Sequence, residues 1–254
     1  MEDHHMSNYI IRVPVEYHIA RLNYCEQQLS SLPVIKSGHH GKHKVMRIYS
    51  SDRICREISA KSKSWKKAST ICKQREQLSD RIKAIKKILR EDYKKESPGP
   101  YTLINTENTF DNRFFDSVQD CSCSFEKTES YFYNGRHYRS RAEMDFASLL
   151  DLYGLEFKYD VEFYLNGKVY SVDFIIVFRE FNRCAFVEYS GKCNDSDYVK
   201  RKGNGISHAR NSKLYLGRDI FIIDGDKTFT PGADVMRAFI VGIIHQFCAY
   251  HIGR

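Results

Sequence analysis

Residues 186–192, Phe186-Val187-Glu188-Tyr189-Ser190-Gly191-Lys192, form a strand-like run with a carboxylate at its centre. An ionised glutamate facing an apolar interior is costly unless a counter-charge or a metal meets it. The run Val169–Phe178, VYSVDFIIVF, repeats the oddity: Asp173 interrupts a Val/Ile/Phe strand. A short polar loop, REFNR at 179–183, separates the two, so they read as neighbouring strands with Asp173 and Glu188 side by side. Strand alternation expects Asp173 on the face of Ile175 and Val177, and Glu188 on that of Phe186 and Ser190.

A third acid lies upstream. Ser140 is a helix N-cap, the helix runs to about Tyr153, and Gly154 ends it. Within it Glu143, Phe146, Ala147 and Leu150 share one face, which puts Glu143 on the apolar side. Clustered carboxylates raise one another's pKa unless a cation neutralises them. Oxygen-only ligands favour Mg²⁺, with Mn²⁺ as a substitute. A buried salt-bridge network is the competing reading of the same three residues.

The surrounding pattern is that of an α/β (α+β) domain over residues 131–254, with a mixed central sheet flanked by helices. FYNGRHY is a hairpin around an Asn-Gly turn. Two strands follow around Asn166-Gly167, then a third ending at Gly191. A basic helix is expected from about Asp197 to Leu216, then the strand DIFIID, then an amphipathic helix from about Ala233 to Tyr250.

Glu on a helix, Asp on a strand and Glu on the next strand resemble the PD-(D/E)XK, or restriction-endonuclease-like, nuclease superfamily. The likeness is to a bacterial branch that writes the last strand as Glu-aromatic-x-Gly before a Tyr-bearing helix, matched here by Glu188-Tyr189-Ser190-Gly191 and Tyr198. It covers about residues 131–224. Val172 stands where the superfamily has Pro, and Ser190 where it has Lys. The resemblance implies metal-dependent cleavage of DNA phosphodiesters, with Mg²⁺ held by Asp173, Glu188 and Glu143. Lys213, on the basic helix, or Lys192 would supply the displaced lysine's charge. Arg139, Ser140 and Arg141, at the start of the Glu143 helix, and the basic run Lys200, Arg201, Lys202 would contact the nucleic acid. A role in mobile-element biology or in defence against foreign DNA fits the resemblance. The alternatives are a nucleic-acid binder that has lost its chemistry, as Ser190 suggests, and a partner-recruiting scaffold.

The chain of 254 residues is 42% hydrophobic, which suffices for a real core, and carries a net charge of +8. That charge is uneven. Residues 1–100 hold 21 Lys/Arg against 11 Asp/Glu, and residues 101–254 hold 19 against 21. A basic segment joined to a near-neutral core is a common footprint of nucleic-acid binding, or simply a solvated basic helix. Within 1–100 a helix is expected at Val15–Ser31, then a β-hairpin up to Ser50. A long helix follows, capped by Ser51 or Asp52, with the stripe Ile54, Ile58, Ile71, Leu78, Ile82, Ile85, Leu89. ESPGPY at 96–101 breaks it. Lys66 and Lys67 lie on this basic helical-hairpin arm, whose use would be DNA clamping, protein partnering or homodimerisation. His39, His40 and His43 read as a polar hairpin tip, and residues 101–130 as a linker or cap.

Several classes are disfavoured. An 18-residue apolar run and a secretory core are both missing, so a cytoplasmic protein away from membranes is expected. The eight Cys lack scaffold spacing, so reduced thiols are expected; the close pair Cys121 and Cys123 is a weak zinc signal. Neither a Gly-x-Ser-x-Gly elbow nor a Walker loop occurs.

Overall fold

The computed structural model describes residues 12–50, 53–94, 102–103, 110–121, 131–191, 196, 200, 213–225 and 230–253. The chain divides into two units: Val15–Pro100, and a second made of Met1–Pro14 with Tyr101–Arg254.

In the first unit, helix α1 (Val15–Ser31) buries Tyr17, Ile19, Leu22 and Cys25. Strands β1 (Val34–His40) and β2 (His43–Ser50) form the expected hairpin, with Gly41 at φ +59° in its turn. The long helix does not begin at Ser51 or Asp52, which lie outside the described residues. A third strand, β3 (Arg53–Ser59), pairs antiparallel with β2 instead. Helix α2 (Trp65–Asp92) starts only after a turn in which Ser62 N–H meets the Ser59 carbonyl at 2.9 Å. Ile54 and Ile58 misled because a four-residue spacing suits both a helix face and a strand face. Their β-branched side chains favour the strand, and only Ile58 is buried. It packs with Ile35, Met46, Ala68 and Cys72. Arg75 of α2 donates to the Leu29 and Leu32 carbonyls at 2.9 and 2.7 Å, satisfying acceptors at the end of α1.

The second unit holds β4 (Thr102–Leu103), α3 (Asn112–Ser117), β5 (Tyr131–Tyr133), β6 (Arg136–Tyr138), α4 (Arg141–Leu152), β7 (Glu156–Leu165), β8 (Lys168–Phe178), β9 (Arg183–Ser190), β10 (Ile220–Asp224), α5 (Ala233–His251) and β11 (Ile252–Gly253). Both Asn-Gly pairs turn hairpins as expected: Asn134/Gly135 and Asn166/Gly167 all have positive φ, as a tight two-residue turn requires. The sheet runs β10-β9-β8-β7. The central strand β8 pairs antiparallel with both β7 and β9, and β10 is parallel to β9. The unit is therefore a mixed α+β sheet with helices.

The sheet buries two faces. Towards α3 stand Val161, Phe163, Val172, Ile175, Val177, Cys184 and Phe186. Towards α4 and α5 stand Phe174, 5.1 Å from Phe146, and Phe178, stacked 4.2 Å from Phe247. Part of the stretch expected to be a linker belongs to this core. Phe110 and Phe115 are buried in the first cluster, and Phe110 packs edge-on at 5.0 Å against Phe186. Three Phe in TFDNRFFD outweigh their polar neighbours.

Candidate active site

Asp160 sets the site's geometry. It is buried in β7 and takes a left-handed φ of +53°, which Asp tolerates better than most residues. The register on either side, Tyr159↔Phe174 and Val161↔Val172, puts it opposite Asp173. Here both strands break alternation. Val172 and Ile175, three apart, share the α3 face. Phe174 meets Phe146 of α4, and Asp173 meets Arg139, so two consecutive residues turn to the α4 side. Tyr159 and Asp160 do the same on β7. Asp173 therefore does not share the face of Ile175 and Val177, as strict alternation expected.

The site also lies where the sheet forks. Ladder pairs between β8 and β9 run from Phe178↔Arg183 to Phe174↔Val187. Next in register would come Asp173 and Glu188. Instead Asp173 Oδ2 accepts the Tyr189 backbone N–H at 2.7 Å, and β9 continues along β10 as far as Ser190. Glu188 is half-buried, opposite Ile222 in the parallel register. Its alternation groups it with Phe186, on the face away from α4.

Glu143 reaches the same place from α4. Ser140 and Glu143 form a capping box: Glu143 N–H donates to Ser140 Oγ at 3.2 Å, and Ser140 N–H donates to Glu143 Oε2 at 3.0 Å. The same Oε2 accepts the Tyr159 hydroxyl at 2.9 Å, and the Tyr159 oxygen accepts Arg139 N–H at 2.9 Å.

The second oxygens converge. Arg139 Nη2 donates to Asp173 Oδ1 and lies 3.4 Å from Asp160 Oδ1 and 3.8 Å from Glu143 Oε1. Three carboxylates from α4, β7 and β8 thus surround one guanidinium nitrogen. Burial first, then the charge of Asp173, raises the Glu143 pKa above the ordinary glutamate value. Burial opposes the charge on Arg139, but Asp173, Glu143 and Asp160 outweigh it and hold the guanidinium protonated. Burial, then Glu143, raises the Tyr159 phenol, which stays a neutral donor.

Oxygen-only donors suit a hard divalent cation. The point where they meet is filled by Arg139, and no set of three or more His, Cys, Asp and Glu side chains among the described residues is arranged to hold a metal. A cation of that kind fits these acids only with the guanidinium withdrawn.

Other expected site residues are scattered. Ser140 is committed to the capping box. Arg141 is exposed, 3.8 Å from Asp145. Lys213 is exposed in a turn at φ +64° rather than on a helix, and its carbonyl accepts from Arg218 at 3.3 Å. Lys200 is helical and exposed, as is Ser196; Lys192, Tyr198, Arg201 and Lys202 lie outside the described residues. Lys66 and Lys67 are exposed in the first turn of α2, in the other unit. A cleft of about 830 Å³ opens at the starts of α4 and α5, lined by Ser140, Arg141, Tyr189, Pro231 and Arg237 among others. Sequence reasoning missed Asp160. Its signal was present: KYDVEF places an acid inside a strand, as Asp173 is placed in the next.

No family model, curated protein or solved structure matches this chain. Among the described residues no helix is long and apolar enough to cross a membrane.

Proposed function

We propose that the chain is a metal-dependent DNA endonuclease, with a restriction-endonuclease-like core in its α+β unit and a basic arm that adds affinity for the phosphate backbone. One observation carries the reading: Glu143, Asp160 and Asp173 each turn an oxygen towards a single point beside the fork of β8 and β9. A structural ion-pair network accounts for this poorly. Three carboxylates crowd one guanidinium at a buried position, and that crowding already raises the Glu143 pKa. A divalent cation would relieve that crowding.

Glu143, Asp160 and Asp173 are the residues that would hold Mg²⁺ or Mn²⁺; Glu188, grouped by alternation with Phe186 on the face away from α4, lies apart from them. When bound, such an ion polarises a phosphodiester and acidifies a water. The chain's own groups do the positioning. Tyr159 and Ser140 hold Glu143 by one oxygen, and Tyr189 N–H holds Asp173 by one oxygen. Arg141 and Arg237 line the adjoining cleft, where a strand's phosphates would lie. The lysine missing at Ser190 has no assigned substitute; Lys213, exposed in its turn, is the described candidate.

A second reading, a nucleic-acid binder on the same scaffold without chemistry, draws on Ser190 and on Arg139 filling the acid cluster. Incubation of the full chain with supercoiled plasmid, single-stranded DNA and RNA in Mg²⁺, Mn²⁺ or EDTA separates the two. Cleavage that requires metal supports the nuclease. Salt-sensitive binding without cleavage in any metal supports the binder.

A further inference from the structure

The carboxylates around Arg139 divide their oxygens between two tasks. The scaffold uses Glu143 Oε2, through Tyr159 and Ser140, and Asp173 Oδ2, through Tyr189. The opposite oxygens, Glu143 Oε1 and Asp173 Oδ1, face the guanidinium together with Asp160 Oδ1. Removing the guanidinium would therefore leave Glu143 and Asp173 anchored through their other oxygens. The Arg139 side chain is also the accessible member of the cluster: it is 39% exposed, against 9%, 2% and 11% for Glu143, Asp160 and Asp173. Its backbone is fixed, because Arg139 N–H donates to Tyr159 and the next residue caps α4. The side chain can rotate outward while the chain stays in place.

We propose that Arg139 is an exchangeable latch: its guanidinium holds the three carboxylates together in the absence of metal and withdraws when a divalent cation takes their inward oxygens. The inference rests on the nuclease reading and adds the regulation of its site. One positive charge among three carboxylates is an incomplete match, and two charges from one ion improve it. The two cations compete for the same oxygens, so each weakens the other's hold. Withdrawn, the guanidinium stands at the start of α4 beside Ser140 and Arg141, both lining the cleft, where its planar fork suits a phosphate. The latch thus couples metal entry to the release of a phosphate-binding group.

The test measures Mn²⁺ binding to the full-length chain by electron paramagnetic resonance of the free ion, for wild type, Arg139→Met and Asp173→Asn, with melting curves in EDTA and in Mn²⁺. Arg139→Met is expected to bind Mn²⁺ on the order of tenfold more tightly than wild type, about 1.4 kcal/mol for removing the competing guanidinium. It is expected to melt lower than wild type in EDTA and to recover in Mn²⁺. The latch is overturned when wild type binds Mn²⁺ and a folded Arg139→Met binds no more tightly. It is also overturned when Arg139→Met is unfolded both with and without Mn²⁺, which makes Arg139 a fixed structural partner. Wild-type binding that Asp173→Asn abolishes keeps the nuclease reading even when the latch fails. Absence of binding in both wild type and folded Arg139→Met removes the two together.

Discussion

Tyr189 N–H donates to Asp173 Oδ2 at 2.7 Å at the point where β8 and β9 stop pairing. A side chain here replaces a ladder carbonyl. The bond keeps the amide satisfied as the strands part and aims the other Asp173 oxygen at Arg139. Asp173→Asn retains an acceptor for Tyr189 but removes the charge. The variant is expected to fold, to lose about 1–3 kcal/mol of stability, and to cut plasmid at least ~10²-fold more slowly. Chemical denaturation and a nicking time course check both halves.

Tyr159→Phe removes one hydroxyl that donates to Glu143 and accepts from Arg139. Both partners are left short of a bond at a buried place, so a loss of about 1–3 kcal/mol is expected. Its nicking rate should fall less than that of Asp173→Asn, because every carboxylate remains. Equal rates for Tyr159→Phe and wild type would show that holding Glu143 by Oε2 is irrelevant to cleavage.

Glu143 gives a pH signature in metal-free protein. Its folded pKa is raised above 4.5 by burial and by Asp173. Between 4.5 and that raised value the folded state holds the proton and the unfolded state does not. Stability from this residue is therefore present at low pH and is lost as pH rises through the window. Melting of wild type and Glu143→Gln across pH 4 to 7 in EDTA checks it: the difference should shift in favour of Glu143→Gln as pH rises.

Two histidines carry the opposite sign. His18 in the first unit and His251 in the second are buried, and each is lowered to about 4, burial being the larger cause and Arg21 and Arg183 respectively the next. Each unit should lose stability as pH falls from 6.5 towards 4, by up to about 1.4 kcal/mol per pH unit for each histidine. His251→Phe is expected to flatten this slope for the second unit, read by unfolding of the full chain followed with hydrogen exchange in that unit.

Phe110→Ala tests whether residues 110–121 belong to the core. Phe110 is buried against Phe163 and Phe186, so truncation should cost about 3–5 kcal/mol. A loss below about 1 kcal/mol would return the segment to the status of a linker.

Much of the second unit was legible because its local signals agree. The Asn-Gly turns, the Ser140 cap with Glu143 three residues on, and the Val/Ile/Phe runs each point to one structure. In the arm the signal was ambiguous at Ile54 and Ile58, where one spacing satisfies two periodicities, and a strand replaced the start of a helix. At the site, Glu143 and Asp173 were found because acids inside apolar patterns are anomalous. Asp160 is equally anomalous, but it stands among polar neighbours in EFKYDVEFY and was not singled out. The facing of Asp173 was not legible, because it depends on a left-handed residue in the strand opposite. The sequence presents Arg139 as a nucleic-acid contact; the fold turns its guanidinium towards Glu143, Asp160 and Asp173.

Metal-dependent cleavage at the Asp173 site is tested by a plasmid-nicking assay of wild type and Asp173→Asn at matched concentration in Mg²⁺, with EDTA controls. Wild type alone is expected to nick the plasmid, and EDTA to abolish the nicking. Equal nicking by both proteins, or none by folded wild type in either Mg²⁺ or Mn²⁺, would contradict the nuclease reading.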